Sequence, residues 1–375
     1  MSVWDCLVGQ PKVVATLSKA ATDTQSMTHA WLFTGPPGSG RSVAARAFAA
    51  ALQCDQGGCN TCHSCTTVLA GTHPDVTIIR TEKLSIGVDV VRDLVRKAVM
   101  SPTQRQWQII IVEDADRITD QGANALLKGI EEPAKRTVWM LCTPTANDVL
   151  ATIRSRCRQV SLVTPSPSSI TTILEAEGIP SKKAHFAADV CQGHIGRARA
   201  IATDSEVAKR RKEILSIPSR LGTLGGCLEA AAWIVSTAQE QASAATKDID
   251  AEENLQLRTA LGVEKGKALP RGAATPLKDL EEQQGLRAKR YARDQLDSVL
   301  IALTSYYRDV LMVQTGNPST VVNTDFRTAI EKTAHDSTPE ATIRKIDAIA
   351  DCGQALAGNV APQLACEAMA VTLGM

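Results

Sequence analysis

The 375-residue sequence predicts an α/β fold in its N-terminal part, with a parallel sheet that carries helices on both faces, followed by an all-helical part. The first observation is an alternation of apolar strand-like runs with helical stretches from residue 1 to about 163. The second is the segment "TPSPSS" at 164–169, whose prolines interrupt this alternation. The third is that helical patterns alone follow, apart from one polar interval. We therefore expect domain boundaries near residues 163 and 205.

The strand-like runs of the first domain are "AWLFTG", "DVTIIR", "WQIIIVED" and "TVWMLCT". Each is followed by a helical stretch, and this order is typical of a parallel sheet covered on both faces. Residues 164–205 contain three short helical patterns, "SSITTILEAEG", "SKKAHFAADVCQG" and "HIGRARAIAT", which predict a small three-helix domain. Residues 206–375 are helical, except that the mixed charges, glycines and prolines near 247–284 indicate a flexible, solvated insertion or linker.

The composition excludes several classes of protein. The formal net charge of +1 argues against a general binder of nucleic acid or other polyanions. Aromatic residues make up only 3%, which favours helices over a strand-rich architecture. There is no apolar run of about 18 residues, and the start "MSVWDCLVGQ" is unlike a signal peptide. We expect a cytoplasmic protein that does not bind a membrane.

The stretch "GPPGSGRS", from Gly35 to Ser42, has the spacing of the phosphate-binding loop G-x-x-x-x-G-K-[ST], but Arg41 stands in place of the lysine. The loop also contains Gly38 and Gly40. It follows an apolar run and precedes a helix, so its backbone N–H groups can converge on phosphate. A simple glycine-proline turn is the alternative. Arginine is bulkier and forked where lysine is a point charge, so hydrolysis should suffer. Ser42 keeps the hydroxyl that would ligate Mg²⁺.

Two acidic residues support this interpretation. Glu113 and Asp114 follow the strand-like run "QIIIV", where an active site of this type needs an aspartate for Mg²⁺ and often a glutamate beside it. Each carboxylate is displaced by about one methylene, and a misplacement near 1 Å can cost on the order of 100-fold in rate. We therefore expect ATP or ADP with Mg²⁺ to bind weakly or to stay unhydrolysed.

Four cysteines, Cys54, Cys59, Cys62 and Cys65, lie within twelve residues, while the other seven of the 11 are scattered. Four thiolates around a tetrahedral Zn²⁺ form a closed structural site without an open position for catalysis. Disulfides are the poorer alternative in a reducing compartment, and His63 could replace one cysteine as a ligand. We predict a structural zinc module at residues 54–65.

The chain also resembles a known family. Its segments "LVGQPKVVATLSKA", "HAWLFTGPPGSGRS", "VEDADRITDQGANALLKGIEEP", "LCTPTANDVLATIRSRC" and "GHIGRARA" resemble, in order, the successive motifs of the bacterial clamp-loader AAA+ proteins. The resemblance covers about the first 205 residues. It implies an AAA+ domain over 1–163, a helical lid over 164–205 and a helical collar for oligomerisation over 206–375.

The resemblance also implies roles for individual residues. The "SRC" motif at 155–157 matches one whose arginine reaches a neighbouring subunit's ATP, so Arg156 is the candidate arginine finger. Thr143 matches a polar sensor at a strand end, and Arg197 lies near a second sensor. Val8 matches a segment that lies against adenine. A solvated arginine at 156 and a helix start packed on the core at Val8 are the alternatives.

Within the family, the missing lysine and the altered acidic pair resemble the delta-prime subunits of the DNA polymerase III clamp loader. This implies a stator in a pentamer with gamma/tau motor subunits and delta, which opens the sliding clamp and places it on primer-template DNA. An active ATPase motor subunit in which Arg41 replaces lysine is the main alternative. A zinc-containing DNA-binding adaptor is disfavoured by the near-neutral charge, and a small-molecule kinase by the "SRC" motif and helical tail.

Overall fold

A computed structural model describes residues 2–81, 85–103, 107–262 and 272–375. The chain forms two compact units, Met1–Thr203 and Asp204–Met375. Within the described residues, no helix is both long enough and apolar enough to cross a membrane.

The first unit is built on a five-stranded sheet in which all strands are parallel, in the order β2-β3-β4-β1-β5. Every residue of β1, β3 and β4 is buried, because parallel strands are covered on both faces. The register pairs Thr34 of β1 with Thr143 of β4, so the carboxyl ends of these strands meet at one edge. The strands are β1 (Ala30–Thr34), β2 (Val76–Ile79), β3 (Gln108–Val112), β4 (Thr137–Thr143) and β5 (Arg158–Ser161).

Helices cover both faces of the sheet, which confirms the predicted fold class. Successive strand residues point to opposite faces, so Trp31 and Leu32 belong to two different buried clusters. The first cluster contains α1 (Pro11–Thr22), α2 (Arg41–Leu52) and α3 (His63–Ala70). The second contains α4 (Val88–Ala98), α5 (Asp120–Glu131) and α6 (Ala151–Arg154).

Three further helices belong to the first unit, in the range 164–205 where we expected a separate three-helix domain. They are α7 (Pro167–Ala176), α8 (Ser181–Val190) and α9 (Ile195–Thr203). The hydroxyl of Ser166 accepts a hydrogen bond from the N–H of Ser169, and Pro167 occupies the first helical turn, where its missing N–H costs nothing. The "TPSPSS" segment therefore ends one structural pattern and starts the next.

Helices are the only regular secondary structure among the described residues of the second unit. Its core is centred on buried residues of the two longest helices, including Tyr306 and Tyr307, whose rings meet edge to face. The helices are α10 (Ser205–Ser216), α11 (Leu224–Ala260), α12 (Ala274–Gln314), α13 (Arg327–Asp336), α14 (Pro339–Ala357) and α15 (Pro362–Gly374).

The interval 247–284, expected to be a flexible insertion, differs from that expectation. Within it, α11 continues to Ala260 and α12 begins at Ala274, while residues 263–271 lie outside the described residues. The mixed charges that suggested a solvated linker instead pair between the two helices: Arg287 lies 2.8 Å from Asp250 and 2.7 Å from Glu253. Only 7% of the Arg287 side chain is exposed, so this pairing occurs between packed helices.

Candidate nucleotide and metal sites

The glycine-rich loop connects β1 to α2 with the geometry of an anion-binding turn. Gly38 and Gly40 have φ angles of 84° and 91°. Residues that carry a Cβ atom rarely adopt positive φ angles of this size. Gly40 caps α2 without any side-chain hydrogen bond. The first N–H groups of α2 thus receive no side-chain acceptor at the cap position, and they form the positive end of the helix dipole.

Arg41, the residue in the lysine position, folds back onto its own loop. Its Nη1 donates a hydrogen bond to the carbonyl oxygen of Gly35. Burial lowers the pKa of Arg41, while nearby acidic groups, among them Asp116 and Asp114, act in the opposite direction. A guanidinium therefore does stand at the loop, but part of its donor set is already used by the protein.

An open pocket of about 940 Å³ lies beside the loop. It brings together five residues predicted for the nucleotide site and adds residues of the N-terminal segment and of α7 and α9. The five are Val8, Gly38, Gly40, Arg41 and Ser42. A pocket that joins a helix N-terminus, a cation and a hydroxyl can hold a phosphorylated ligand.

The acidic pair after β3 lies outside this pocket lining. Glu113 accepts a hydrogen bond from Nε of Arg46 at 2.9 Å, and Nη2 of the same arginine lies 2.8 Å from the same oxygen. Only 8% of the Glu113 side chain is exposed. Asp114 is half-buried before the short 3-10 helix Ala115–Arg117. The Glu113 carboxylate is therefore already neutralised by a residue of α2, which sequence analysis did not single out.

Thr143, the expected sensor at the end of β4, is fully buried. Its hydroxyl donates to the carbonyl oxygen of Thr145 at 3.1 Å and lies 3.3 Å from a carboxylate oxygen of Asp148. The hydroxyl is thus engaged within its own loop, outside the pocket lining.

Arg197, the second expected sensor, also lies outside the pocket lining, whereas Arg199 lines it. Arg199 is held by Glu177, with Nε donating to a carboxylate oxygen at 2.7 Å. Burial lowers the pKa of Arg197. Residues 197 and 199 lie on different faces of α9 because of the helical repeat. The arginine that reaches the pocket is therefore Arg199, two residues beyond the predicted sensor.

His194 is a further residue of this region that the sequence did not point to. A Cβ added to Gly38 would lie 2.4 Å from Cγ of His194, so only a glycine allows the imidazole to approach the loop this closely. Nδ1 of His194 accepts a hydrogen bond from the N–H of Arg197 at 3.2 Å, so in the neutral ring the proton is on Nε2. Burial lowers the pKa of His194, and repulsion from Arg197 and Arg41 adds to this effect.

Arg156, the expected arginine finger, lies at the surface immediately after α6. Its side chain is 41% exposed, and Nη2 lies 2.8 Å from a carboxylate oxygen of Glu131. Nη1 donates to the carbonyl oxygen of Thr152 at 2.8 Å. The guanidinium is thus accessible, and it is positioned by groups of its own chain.

The four predicted cysteines converge, and their sulfur atoms all lie within 4.8 Å of one another. The Cys54–Cys59 and Cys54–Cys62 sulfur pairs are 3.7 Å apart, close to the edge of about 3.8 Å expected for a tetrahedron of Zn–S bonds near 2.3 Å. A disulfide would need about 2.05 Å. His63 is not part of the cluster of candidate ligands found among the described residues.

The surroundings of the sulfurs suit a metal site. The backbone N–H groups of Cys59, Cys62 and Cys65 each donate to the sulfur of an earlier cysteine, at 3.3–3.4 Å. Hydrogen bonds from Thr61 and from nearby backbone groups lower the pKa of Cys59 to about 6. Such hydrogen bonds stabilise the Cys59 thiolate, the form that binds a metal, whereas burial raises the pKa of Cys65. These residues therefore fit a four-coordinate structural Zn²⁺.

Comparison with known proteins agrees with the N-terminal motifs. Residues 9–166 match the family described as "DNA polymerase III, delta subunit". The chain is 35% identical over 182 residues to DNA polymerase III subunit gamma/tau of Mycobacterium tuberculosis, covering 46% of this chain and 31% of the relative. It is 28% identical over 211 residues to subunit delta' of Bacillus subtilis, with coverages of 56% and 64%. For delta' of Escherichia coli, identity is 37% over 166 residues, with coverages of 43% and 50%.

The chain thus spans less than two thirds of the length of each of these relatives. Over the matched part, it resembles the delta-prime subunits of bacterial clamp loaders, which confirms the resemblance predicted from the ordered motifs.

Proposed function

We propose that this chain is a delta-prime-type subunit of a DNA polymerase III clamp loader, acting in the cytoplasm with gamma/tau motor subunits and a delta subunit. Through the complex it would help to open the sliding clamp and place it on primer-template DNA. The similarity to proteins named delta' and gamma/tau supports membership of such an assembly. The helices of the second unit would form the collar that joins subunits.

The observation that carries the stator role is the ion pair between Glu113 and Arg46. A motor subunit needs a free carboxylate at this strand end to hold Mg²⁺ beside the γ-phosphate. Here the carboxylate is nearly buried and bound to a guanidinium, and Arg41 is bound to its own loop. ATP or ADP held by the loop amides, Arg41 and Ser42 would therefore stay unhydrolysed.

Arg156 would act on a neighbouring subunit. Its exposure lets it extend from the surface, and Glu131 keeps it oriented until a stronger anion replaces that carboxylate. An arginine supplied in trans to a γ-phosphate is worth about 10³ to 10⁵ in rate at the site that it completes. In the proposed function, the nucleotide site of this chain does not hydrolyse ATP, and Arg156 completes the ATP site of a neighbouring subunit.

The test is ATP turnover by the clamp loader reconstituted with this chain's own partners, with wild type, Arg156→Ala or Arg92→Ala. Arg92 is the matched control, since it is a 64% exposed arginine with an acidic neighbour at i−3. We expect Arg156→Ala to abolish most turnover stimulated by clamp and primed DNA, and Arg92→Ala to leave it unchanged. Full turnover with Arg156→Ala would overturn the finger role.

An active motor subunit is the second candidate, favoured by the 35% identity to a gamma/tau protein. The two candidates differ for the isolated chain. A stator releases no phosphate from ATP alone, whereas a motor hydrolyses it and loses that activity with Glu113→Gln. Turnover by the isolated chain would therefore replace the stator proposal by the motor.

We further propose that Cys54, Cys59, Cys62 and Cys65 hold a structural Zn²⁺, which would cross-link the loop after α2. The purified chain should contain about one equivalent of zinc. Cys62→Ser should lose it, while Cys157→Ser, at a buried cysteine outside the cluster, should retain it. Elemental analysis of the three proteins decides the point, and zinc-free wild type would contradict it.

A further inference from the structure

The N-terminal segment, residues 2–8, forms one wall of the pocket. Asp5, Cys6 and Val8 all line it. The segment contains the short 3-10 helix Val3–Cys6, in which the hydroxyl of Ser2 accepts from the N–H of Trp4 and Asp5 accepts from the N–H of Ser2. So short a helix has little stability of its own, and its position depends on what it packs against.

Val3 anchors this segment. Its side chain is 2% exposed and belongs to the same buried cluster as Cys54 and Cys65. Its backbone N–H donates to the carbonyl oxygen of Gly58 at 3.0 Å, and the hydroxyl of Ser2 lies 3.3 Å from the same oxygen. The segment is therefore attached to the cysteine loop through both backbone and side chain.

Gly58 permits this contact because it has no side chain. A Cβ at this position would lie 2.4 Å from Cγ2 of Val3, and its φ of 110° is a conformation that favours glycine. Gly58 lies between Cys54 and Cys59, whose sulfurs are 3.7 Å apart. The shape of the loop at Gly58 is therefore determined by the same short stretch of chain that brings the first two sulfurs together.

We propose that the cysteine loop positions the wall of the nucleotide pocket, through the contact of Gly58 with Val3, so that metal loading and nucleotide affinity are coupled. The nucleotide part of this inference rests on the proposed function, with a nucleoside di- or triphosphate as the ligand class. Removing the metal leaves four thiols without a common partner, so the loop loosens and residues 2–8 lose their anchor. Because binding free energies are linked, nucleotide should in turn protect the metal from chelation.

The experiment measures hydrogen exchange of residues 2–8 and ADP affinity in the full-length chain, before and after zinc removal with a chelator. Two variants accompany it. Gly58→Ala breaks the contact without removing a cysteine, and Gly57→Ala is the matched control. Gly57 lies in the same loop with a φ of 66°, but its Cβ would meet only Thr22, at an ordinary 3.5 Å.

We expect chelation to speed exchange in residues 2–8 and to weaken ADP binding about tenfold. Gly58→Ala should give both effects while retaining its zinc, and Gly57→Ala should give neither. Unchanged exchange in both the chelated chain and Gly58→Ala would overturn the coupling. If wild type binds no ADP, the proposed nucleotide site fails, and the exchange data still decide whether the loop positions residues 2–8.

Discussion

The carboxylate of Glu113 and the guanidinium of Arg46 form an ion pair that joins the end of β3 to the helix of the phosphate loop. The two Arg46 nitrogens lie 2.8 and 2.9 Å from one oxygen of Glu113. Aspartate is one methylene shorter, so it would place its carboxylate nearer the strand end and farther from Arg46. The longer side chain thus determines which cation the carboxylate meets.

This ion pair predicts that restoring the lysine alone does not create an ATPase. Arg41→Lys should tighten ATP binding by roughly threefold to tenfold, because a flexible ammonium can leave the loop carbonyl and reach phosphate. Turnover should appear only when Glu113→Asp and Asp114→Glu are added, which frees the carboxylates for Mg²⁺ and water. Calorimetry and steady-state phosphate release measure the two effects. Hydrolysis by Arg41→Lys alone would contradict this account of the site.

The contact of His194 with Gly38 predicts different costs for two glycine substitutions in one loop. Both Gly38→Ala and Gly40→Ala place alanine at a positive φ, which costs about 1–2 kcal/mol. A Cβ at Gly40 meets nothing within 4 Å, whereas one at Gly38 meets His194 at 2.4 Å. Gly38→Ala should therefore be less stable than Gly40→Ala by about 1–3 kcal/mol. Urea unfolding measures the difference, and equal stabilities would show that His194 does not pack on the loop.

The lowered pKa of His194 predicts a pH dependence of stability. As pH falls through the ordinary value of 6.5, the unfolded chain protonates this histidine while the folded chain still excludes the proton. The free energy of unfolding is therefore unaffected by protonation of this histidine above pH 6.5 and decreases as the pH falls below that value.

Urea midpoints between about pH 7.5 and 5.5 should consequently fall less steeply for His194→Gln than for wild type. His185→Gln serves as the control, because that histidine belongs to the same unit and is 64% exposed. We expect it to keep the wild-type slope. An unchanged slope for His194→Gln would remove this histidine as the source of the pH dependence.

In the second unit, the buried ion pairs of Arg287 predict that the ends of the two long helices depend on charge pairing for their stability. Arg287→Met leaves Asp250 and Glu253 without their shared partner and should destabilise the ends of α11 and α12 by about 1–3 kcal/mol. Hydrogen exchange of residues 250–260 measures this loss. Arg327→Met is the control, since its ion pair with Glu331 is half exposed and should contribute about 0–1 kcal/mol. Equal effects would mean that burial does not strengthen the Arg287 pairs.

Much of the fold follows from local patterns. The alternation of buried strands with helices predicts the parallel sheet, and the prolines of 164–169 predict where the three-helix segment begins at Pro167. The interval 247–284 was harder to predict, because a run of mixed charges is the same in sequence whether it faces water or a second helix. Arg287 finds its acidic partners more than thirty residues away, across the helix pair.

The candidate sites also contain features that follow from local sequence and features that depend on contacts between distant residues. Features whose geometry is confined to one short stretch could be predicted from the sequence: the glycine spacing of 35–42, and the cysteine spacing of 54–65, which brings four sulfurs within 4.8 Å. Three contacts depend on how distant segments fold together: Glu113 with Arg46, His194 with Gly38, and Val3 with Gly58. The two groups of features differ because their residues are separated by different distances along the chain. A turn or loop restricts its own few dihedral angles, but contacts between distant segments depend on how whole helices and strands pack.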